Sequence, residues 1–280
     1  MTSSPAETSP FRHEDTDRDA APQYVLPLVV HIEKAAPPAR TDALETAARA
    51  VLTLLADERS TADDGEWAQA VRDWQDARIR KVVRRARGAE WRRAEALPGI
   101  TVRGRAAEVR VYPPVPLDGW PKELIKLQVS GTDLTDPEPL AATDDEEGGG
   151  AATAEAATAD AATAEAATAH AATAHAATAD VAEAVSEGPV LWLNPDLDMS
   201  AGKAMAQAGH GAQLAWWELD ADERAAWRDA GFPLAVRTAE PRAWATLTSG
   251  ALPVVRDAGF TEIAPGSCTV VADHPALRHR

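Results

Sequence analysis

The first apolar run, YVLPLVVHIE at residues 24–33, is rich in branched aliphatics and has the length of a strand. Behind it, TDALETAARAVLTLLADE repeats Leu, Ala and Val at helical spacing, with Thr41 or Asp42 where a cap belongs. The pattern lapses after residue 134 and resumes at PVLWLNPDL, residues 189–197, a second strand. Ser200 then serves as N-cap for the helix AGKAMAQAGHGAQLAWWEL, whose small residues let its backbone lie very close to a neighbouring surface. DADERAAWRDAG is a further helix, with Asp220 or Asp222 as cap and Gly231 as stop. FPLAVRTA follows as a strand and EPRAWATLTSGAL as a helix, and two short strands near 261–264 and 268–273 flank the turn APGS. Strands alternating with helices predict a compact α/β sandwich over residues 189–280.

Charge changes this picture only once it is partitioned. The formal charge of -16, from 44 acidic and 28 basic residues, argues against a nucleic-acid partner, because phosphate affinity comes mostly from Lys and Arg. Residues 1–23 hold five acids and two bases without apolar periodicity and read as a disordered tail. Residues 24–134 hold 16 acids and 18 bases and enough Val, Leu, Ile and Trp for a core. Residues 135–188 hold 12 acids and no base, and residues 189–280 hold 11 acids and eight bases. Most of the negative charge therefore belongs to 135–188, a low-complexity linker of DDEEGGG and six AATAx pentads. A five-residue period walks around a 3.6-residue helix, so the tract reads as a partly helical or disordered spacer. His170 and His175 within it lack partner ligands at fixed geometry and read as solvated positions, not metal ligands. Cys268, the one cysteine, excludes a disulfide framework and fits a reducing compartment. No run is long and apolar enough for a membrane span, and the polar first residues lack a signal peptide's apolar core, so a cytoplasmic protein is expected.

In the helix after Ser200, Lys203, Gln207 and His210 fall at i, i+4 and i+7, on one face. A cation in the first helical turn opposes the macrodipole, which invites a functional reading of Lys203, although spacing alone favours a solvated helix face. GKAMAQAGHGA after a strand ending in DLDM, together with DAGFTEIAPGSCTVV, resembles the peptidyl-tRNA hydrolase type 2 family of archaea and eukaryotes. The resemblance covers 189–275 and implies a mixed four-stranded sheet between helices and hydrolysis of the ester joining a peptide to tRNA. It implies that Lys203, Asp257 and Thr261 are catalytic, with Gly202, Gln207 and His210 nearby on the substrate side. One departure stands out: Gly209 occupies the place of the family's usual Ser before the His. Ester hydrolysis needs an activated water, a base and a partner for the developing oxyanion, and the residue types suit those roles. No metal or organic cofactor is called for. A structural Lys–Asp salt bridge is the alternative reading of the same pair.

The N-terminal half looks like a worn copy. WQDARIRKVVRRARGAEW lies on WRDAGFPLAVRTAEPRAW with Trp74 and Trp91 on Trp227 and Trp244, Asp76 on Asp229 and Val83 on Val236. Continuing, GITVRGRAAEVRVYPP places Thr101 on Thr261 and Leu97 where Asp257 would be, and no Lys matches Lys203, so this half is not expected to be catalytic. Two α/β/α sandwich halves, each around a small mixed four-stranded sheet, are expected to pack as a pseudo-dimer. The N-terminal half carries Arg78, Arg80, Lys81, Arg84, Arg85, Arg87, Arg92 and Arg93, interrupted by one acid, Glu90. Arg84, Arg85 and Arg87 in particular are candidates to grip an RNA backbone; a solvated edge strand and helix face is the alternative. The function so predicted is peptidyl-tRNA hydrolysis. A non-catalytic RNA-binding or scaffolding protein, or an esterase for other acyl carriers, are the rivals.

Overall fold

A computed structural model describes residues 22–137, 188–259 and 261–280. The AATAx pentads with His170 and His175, and nearly all of the expected N-terminal tail, lie outside the described residues. The N-terminal half runs β1 (Tyr24–His31), α1 (Arg40–Ala56), α2 (Glu58–Thr61), α3 (Ala68–Asp76), β2 (Arg80–Ala86), α4 (Gly88–Glu95), β3 (Ile100–Arg103), β4 (Glu108–Val111), β5 (Val115–Pro116) and α5 (Lys122–Ile125). The C-terminal half runs β6 (Val190–Leu193), α6 (Ala201–Glu218), α7 (Ala221–Asp229), β7 (Ala235–Thr238), α8 (Pro241–Ser249), β8 (Val254–Arg256) and β9 (Cys268–Asp273). The two sheets are mixed and share order and sense. In β2-β1-β4-β3 and β7-β6-β9-β8 the first pair is parallel and the other two are antiparallel. The N-terminal sheet departs from the four-stranded expectation by gaining β5 against β1.

Local chemistry explains where the elements begin and end. Ser200 caps α6, its Oγ accepting from the Lys203 amide at 3.2 Å. Asp220 and Glu223 form a full capping box at α7, and Gly231, at φ 79°, ends it in the left-handed region. Neither Thr41 nor Asp42 caps α1, whose N-cap is Ala39; both side chains are drawn to tertiary partners instead. Residues 261–264 do not form a strand. The β-branched Val254 and Val255 pair with β9, after which positive φ at Gly259, Glu262 and Gly266 breaks the extended chain into a loop.

One hydrophobic core runs through both halves, with α1 and α6 packed directly at its centre. The small residues expected to permit close approach do so. A Cβ on Gly209 would come within 2.9 Å of Val51 Cγ2 on α1 and 3.3 Å of Lys81 Cδ, and one on Gly211 within 2.7 Å of Val270 Cγ1 in the helix's own sheet. The absent serine hydroxyl at 209 thus has a steric reason: the N-terminal half fills its space. Each central helix also reaches the edge strand of the other sheet. The Glu45 carboxylate on α1 accepts from the Val236 amide of β7 at 3.2 Å. From β2, the buried Lys81 ammonium donates to Gln213 Oε1 at 2.5 Å, lies 3.1 Å from His210 Nδ1 and sits 4.8 Å from the Trp74 ring centroid. Burial pushes Glu45 up and holds Lys81 well below the usual lysine range. Burial, then the neighbouring Lys81 and Lys203, hold the His210 imidazole well below its usual value.

Two predictions come from this interface. Gly209→Ser should destabilise the protein by about 1–3 kcal/mol, the usual cost of overpacking, seen as a lower urea midpoint without loss of the denaturant slope. A His210 pKa that is lower folded than unfolded means that the unfolded chain alone takes up a proton below about pH 6.5. Stability should therefore fall more between pH 7.5 and 5.5 in wild type than in His210→Gln; equal losses in the two would remove His210 from the linkage.

Candidate active site

The first turns of α6 and the loop after β8 meet at one point. Lys203, three residues into the helix from its Ser200 cap, extends Nζ to Asp257 Oδ2 at 2.6 Å and to Thr261 Oγ1 at 3.2 Å. One turn on, Gln207 donates from Nε2 to the same Asp257 Oδ2 at 2.7 Å. That amide has a fixed orientation, because its Oε1 accepts from the fully buried Thr269 Oγ1 at 2.6 Å. The second Asp257 oxygen accepts from the Gly259 amide at 2.7 Å, so the carboxylate is held at both ends. Only about a tenth of either charged side chain is exposed, 10% for Lys203 and 9% for Asp257. Thr261 is exposed and lies on the solvent side of the pair. The loop is anchored to the helix by Glu262, which accepts from the Ser200 amide at 3.1 Å and hydroxyl at 2.9 Å. The φ of +58° at Glu262 is the backbone strain that goes with this anchor.

The structure sorts the residues expected from sequence. Lys203, Asp257, Thr261 and Gln207 come together. Gly202 is beside them, its amide donating to Thr132 of the N-terminal half at 2.9 Å. His210 departs: two turns on from Lys203 the same helix face lies against β2, and the imidazole meets Lys81. Among the basic run, Lys81 is buried, and the guanidinium groups of Arg84 and Arg85 are occupied within the fold. Arg84 donates to the carbonyls of Leu127 at 2.5 Å and Ile125 at 3.3 Å and lies over Trp120, 4.6 Å from its ring centroid. Arg85 donates to the Ser130 carbonyl at 2.9 Å. Arg87 is half-buried at the N-cap of α4. Arg92 and Arg93 on α4, Lys122 on α5 and Lys126 at its C-cap are exposed, and Arg93, Lys122 and Lys126 line a cleft of about 250 Å³ together with Glu90 and Glu123. Sequence reasoning passed over Thr132, Glu262 and Thr269. Of these, only Thr269 left a signal, as a polar residue inside the apolar run TVVA.

Strand pairing also corrects the overlay of the two halves. With Leu28, which pairs with Val83 and Val111, laid on Leu191, which pairs with Val236 and Ala272, Val83 falls on Val236. In the same frame Thr101, opposite Arg110, falls on Val254, opposite Val271. Three residues further, Gly104 occupies the place of Asp257; Thr101 does not match Thr261, nor Leu97 Asp257. β3 and β4 are joined by a tight turn, with the Gly104 amide donating to the Ala107 carbonyl at 2.8 Å. In the C-terminal half residues 257–267 connect the two strands where the N-terminal half uses residues 104–107. With the caps Ala39 and Ser200 superimposed, Asp42, Thr46 and Arg49 stand where Lys203, Gln207 and His210 stand. Asp42 accepts from the amides of Arg105, Ala106 and Ala107 at 2.9, 2.7 and 2.7 Å. Burial raises its pKa, but these three donors outweigh burial and bring it below the usual aspartate value. A Cβ on Gly104 would lie 2.3 Å from both Asp42 Oδ1 and Thr46 Oγ1, so the turn's own backbone fills the place that Asp257 occupies in the other half.

Among the described residues no helix is long and apolar enough to cross a membrane. The chain matches no curated protein. Residues 189–280, which contain every member of the Lys203 cluster, match the model of the family Peptidyl-tRNA hydrolase PTH2.

Proposed function

We propose that the C-terminal half hydrolyses the ester of peptidyl-tRNA, releasing tRNA and peptide, in the cytoplasm. The observation that carries this reading is the 2.6 Å contact of Lys203 with Asp257, almost out of water and beside the exposed Thr261 hydroxyl. Asp257 takes a proton from the attacking water, whose oxygen adds to the ester carbonyl carbon. Lys203 faces the oxyanion of the tetrahedral intermediate, Thr261 holds the water or the ribose end, and Gln207 keeps the carboxylate aimed. The C–O bond to the ribose then breaks, and the proton passes to the departing ribose oxygen. The reaction draws on water and these side chains. A salt bridge kept for stability alone is the weaker reading, because a buried ion pair roughly breaks even against an apolar pair of similar volume.

We further read the N-terminal half as a worn copy of the same unit, supported by the shared strand order and by the three residues that replace the cluster. Its exposed cations Arg92, Arg93, Lys122 and Lys126 are better placed for an RNA backbone than Arg84 and Arg85, which hold carbonyls. On this reading the two halves work as one intramolecular pair.

Wild-type protein should release tRNA from purified peptidyl-tRNA. Lys203→Ala and Asp257→Asn should each lower kcat by roughly 100- to 1,000-fold while tRNA still binds. Equal turnover in all three proteins would sink the hydrolase reading, and salt-sensitive binding without turnover in wild type would favour a non-catalytic RNA-binding protein. Cleavage of simple acyl esters without tRNA would point to a general esterase. Replacing Arg92, Arg93, Lys122 and Lys126 by Gln should flatten the dependence of log Kd on log salt; an unchanged slope would return these cations to a solvated face.

A further inference from the structure

We propose that Thr132, which lies outside the matched family region, is a positioning residue for Lys203. An α-helix leaves its first amides without intrahelical partners, and their partners fix the first turn. In α6 two of them are accounted for from different parts of the chain. Ser200, the helix's own cap, accepts from the Lys203 amide, while the Thr132 hydroxyl accepts from the Gly202 amide one residue earlier. Thr132 is 1% exposed, so water does not replace it there. The contact also accounts for the glycine. A Cβ at residue 202 would come within 2.9 Å of Thr132 Oγ1, and a side chain at that position would push the hydroxyl off the amide.

The connector that carries Thr132 is fastened on either side. Upstream, Arg85 holds the Ser130 carbonyl, and the backbone of Gln128 bridges to Arg85. Downstream, Asp136 accepts from the amide and hydroxyl of Thr41 at 2.8 and 2.7 Å, at the start of α1. The connector therefore ties the first turns of both central helices together, through a side chain at each. At α6 that turn bears Lys203, whose ammonium must meet Asp257 at 2.6 Å. Thr132 touches neither reacting atoms nor the Lys203 side chain, and it acts through the backbone turn from which Lys203 projects. The N-terminal half, whose own cluster is filled by the Gly104 turn, thus contributes to the site in the other half.

This inference rests on the hydrolase reading for its kinetic test but not for its structural one. Thr132→Val keeps the shape and removes the hydroxyl; Thr132→Ser keeps the hydroxyl. In the full chain, Thr132→Val should lower kcat for peptidyl-tRNA about tenfold with KM changed less than twofold, and Thr132→Ser should stay within twofold of wild type in both. Gly202→Ala should reproduce the Thr132→Val defect, and combining the two should add little. Amide exchange at Gly202 and Lys203 should accelerate at least tenfold in Thr132→Val and remain near wild type in Thr132→Ser. Wild-type kcat in Thr132→Val, or equal defects in the Val and Ser variants, would overturn the proposal. If wild-type protein fails to cleave peptidyl-tRNA, the hydrolase reading falls on its own, and unchanged amide exchange in Thr132→Val would then overturn the role of Thr132 separately.

Discussion

The close crossing of α1 and α6 sets the rest of the structure. At Gly209 the backbone of α6 comes so near Val51 that no side chain fits, and at Gly211 its opposite side is as close to Val270. A helix of Ala and Gly has little side-chain area of its own to bury, so it is stabilised by contact on two sides at once, with its own sheet and with the other half. From that arrangement follow the shared core, the reach of Lys81 to Gln213 and of Glu45 to the β7 edge, and the placing of the connector over the α6 N-terminus. The edge contacts cover strand ends that would otherwise offer unpaired backbone to other chains.

Most of the C-terminal half was legible in the sequence because its signals are local. Ser200, Asp220 and Gly231 act within a few residues of where they stand, and the strand and helix they punctuate have clear periods. The cluster was legible for a different reason, since Lys203 and Gln207 share a helix face and the DAGFT motif supplies its partners. What failed was register. An overlay by tryptophans and valines has no means of seeing that one half turns in four residues where the other has a longer loop, so it lays Thr101 on Thr261, whereas the strand registers set Thr101 beside Val254. The fate of the arginines was equally hidden. Charge density in a sequence does not tell a cation facing water from one spent on carbonyls, as Arg84 is on Leu127. His210 shows the same limit on a helix: residues at i and i+7 share one face, but that face passes from one neighbour to another within two turns.

The two halves treat one architectural position in opposite ways. In the N-terminal half the helix presents an anion, Asp42, and three amides of a tight turn satisfy it, which costs little because a carboxylate with several donors is well solvated by backbone alone. In the C-terminal half the helix presents a cation, Lys203, against its own dipole, and the turn is opened into a loop that brings Asp257 and Thr261 to meet it. The first arrangement is closed, with both carboxylate oxygens bonded to amides of the turn. The second leaves Thr261 toward solvent and holds two opposite charges almost out of water.

That difference bears on why the C-terminal arrangement exists at all. Desolvating Lys203 and Asp257 carries a penalty that their attraction offsets only with good geometry, and the surrounding devices supply that geometry: Thr269 orients Gln207, Gly259 holds the second oxygen, Glu262 fastens the loop at the cost of a left-handed backbone, and Thr132 takes the Gly202 amide. A fold seeking stability alone would have the Asp42 solution available, since the same chain uses it at the equivalent place. Four supports gathered around one pair, one of them from the other half, make sense where the position of an ammonium and a carboxylate must be held to within a fraction of an ångström for chemistry on a third group.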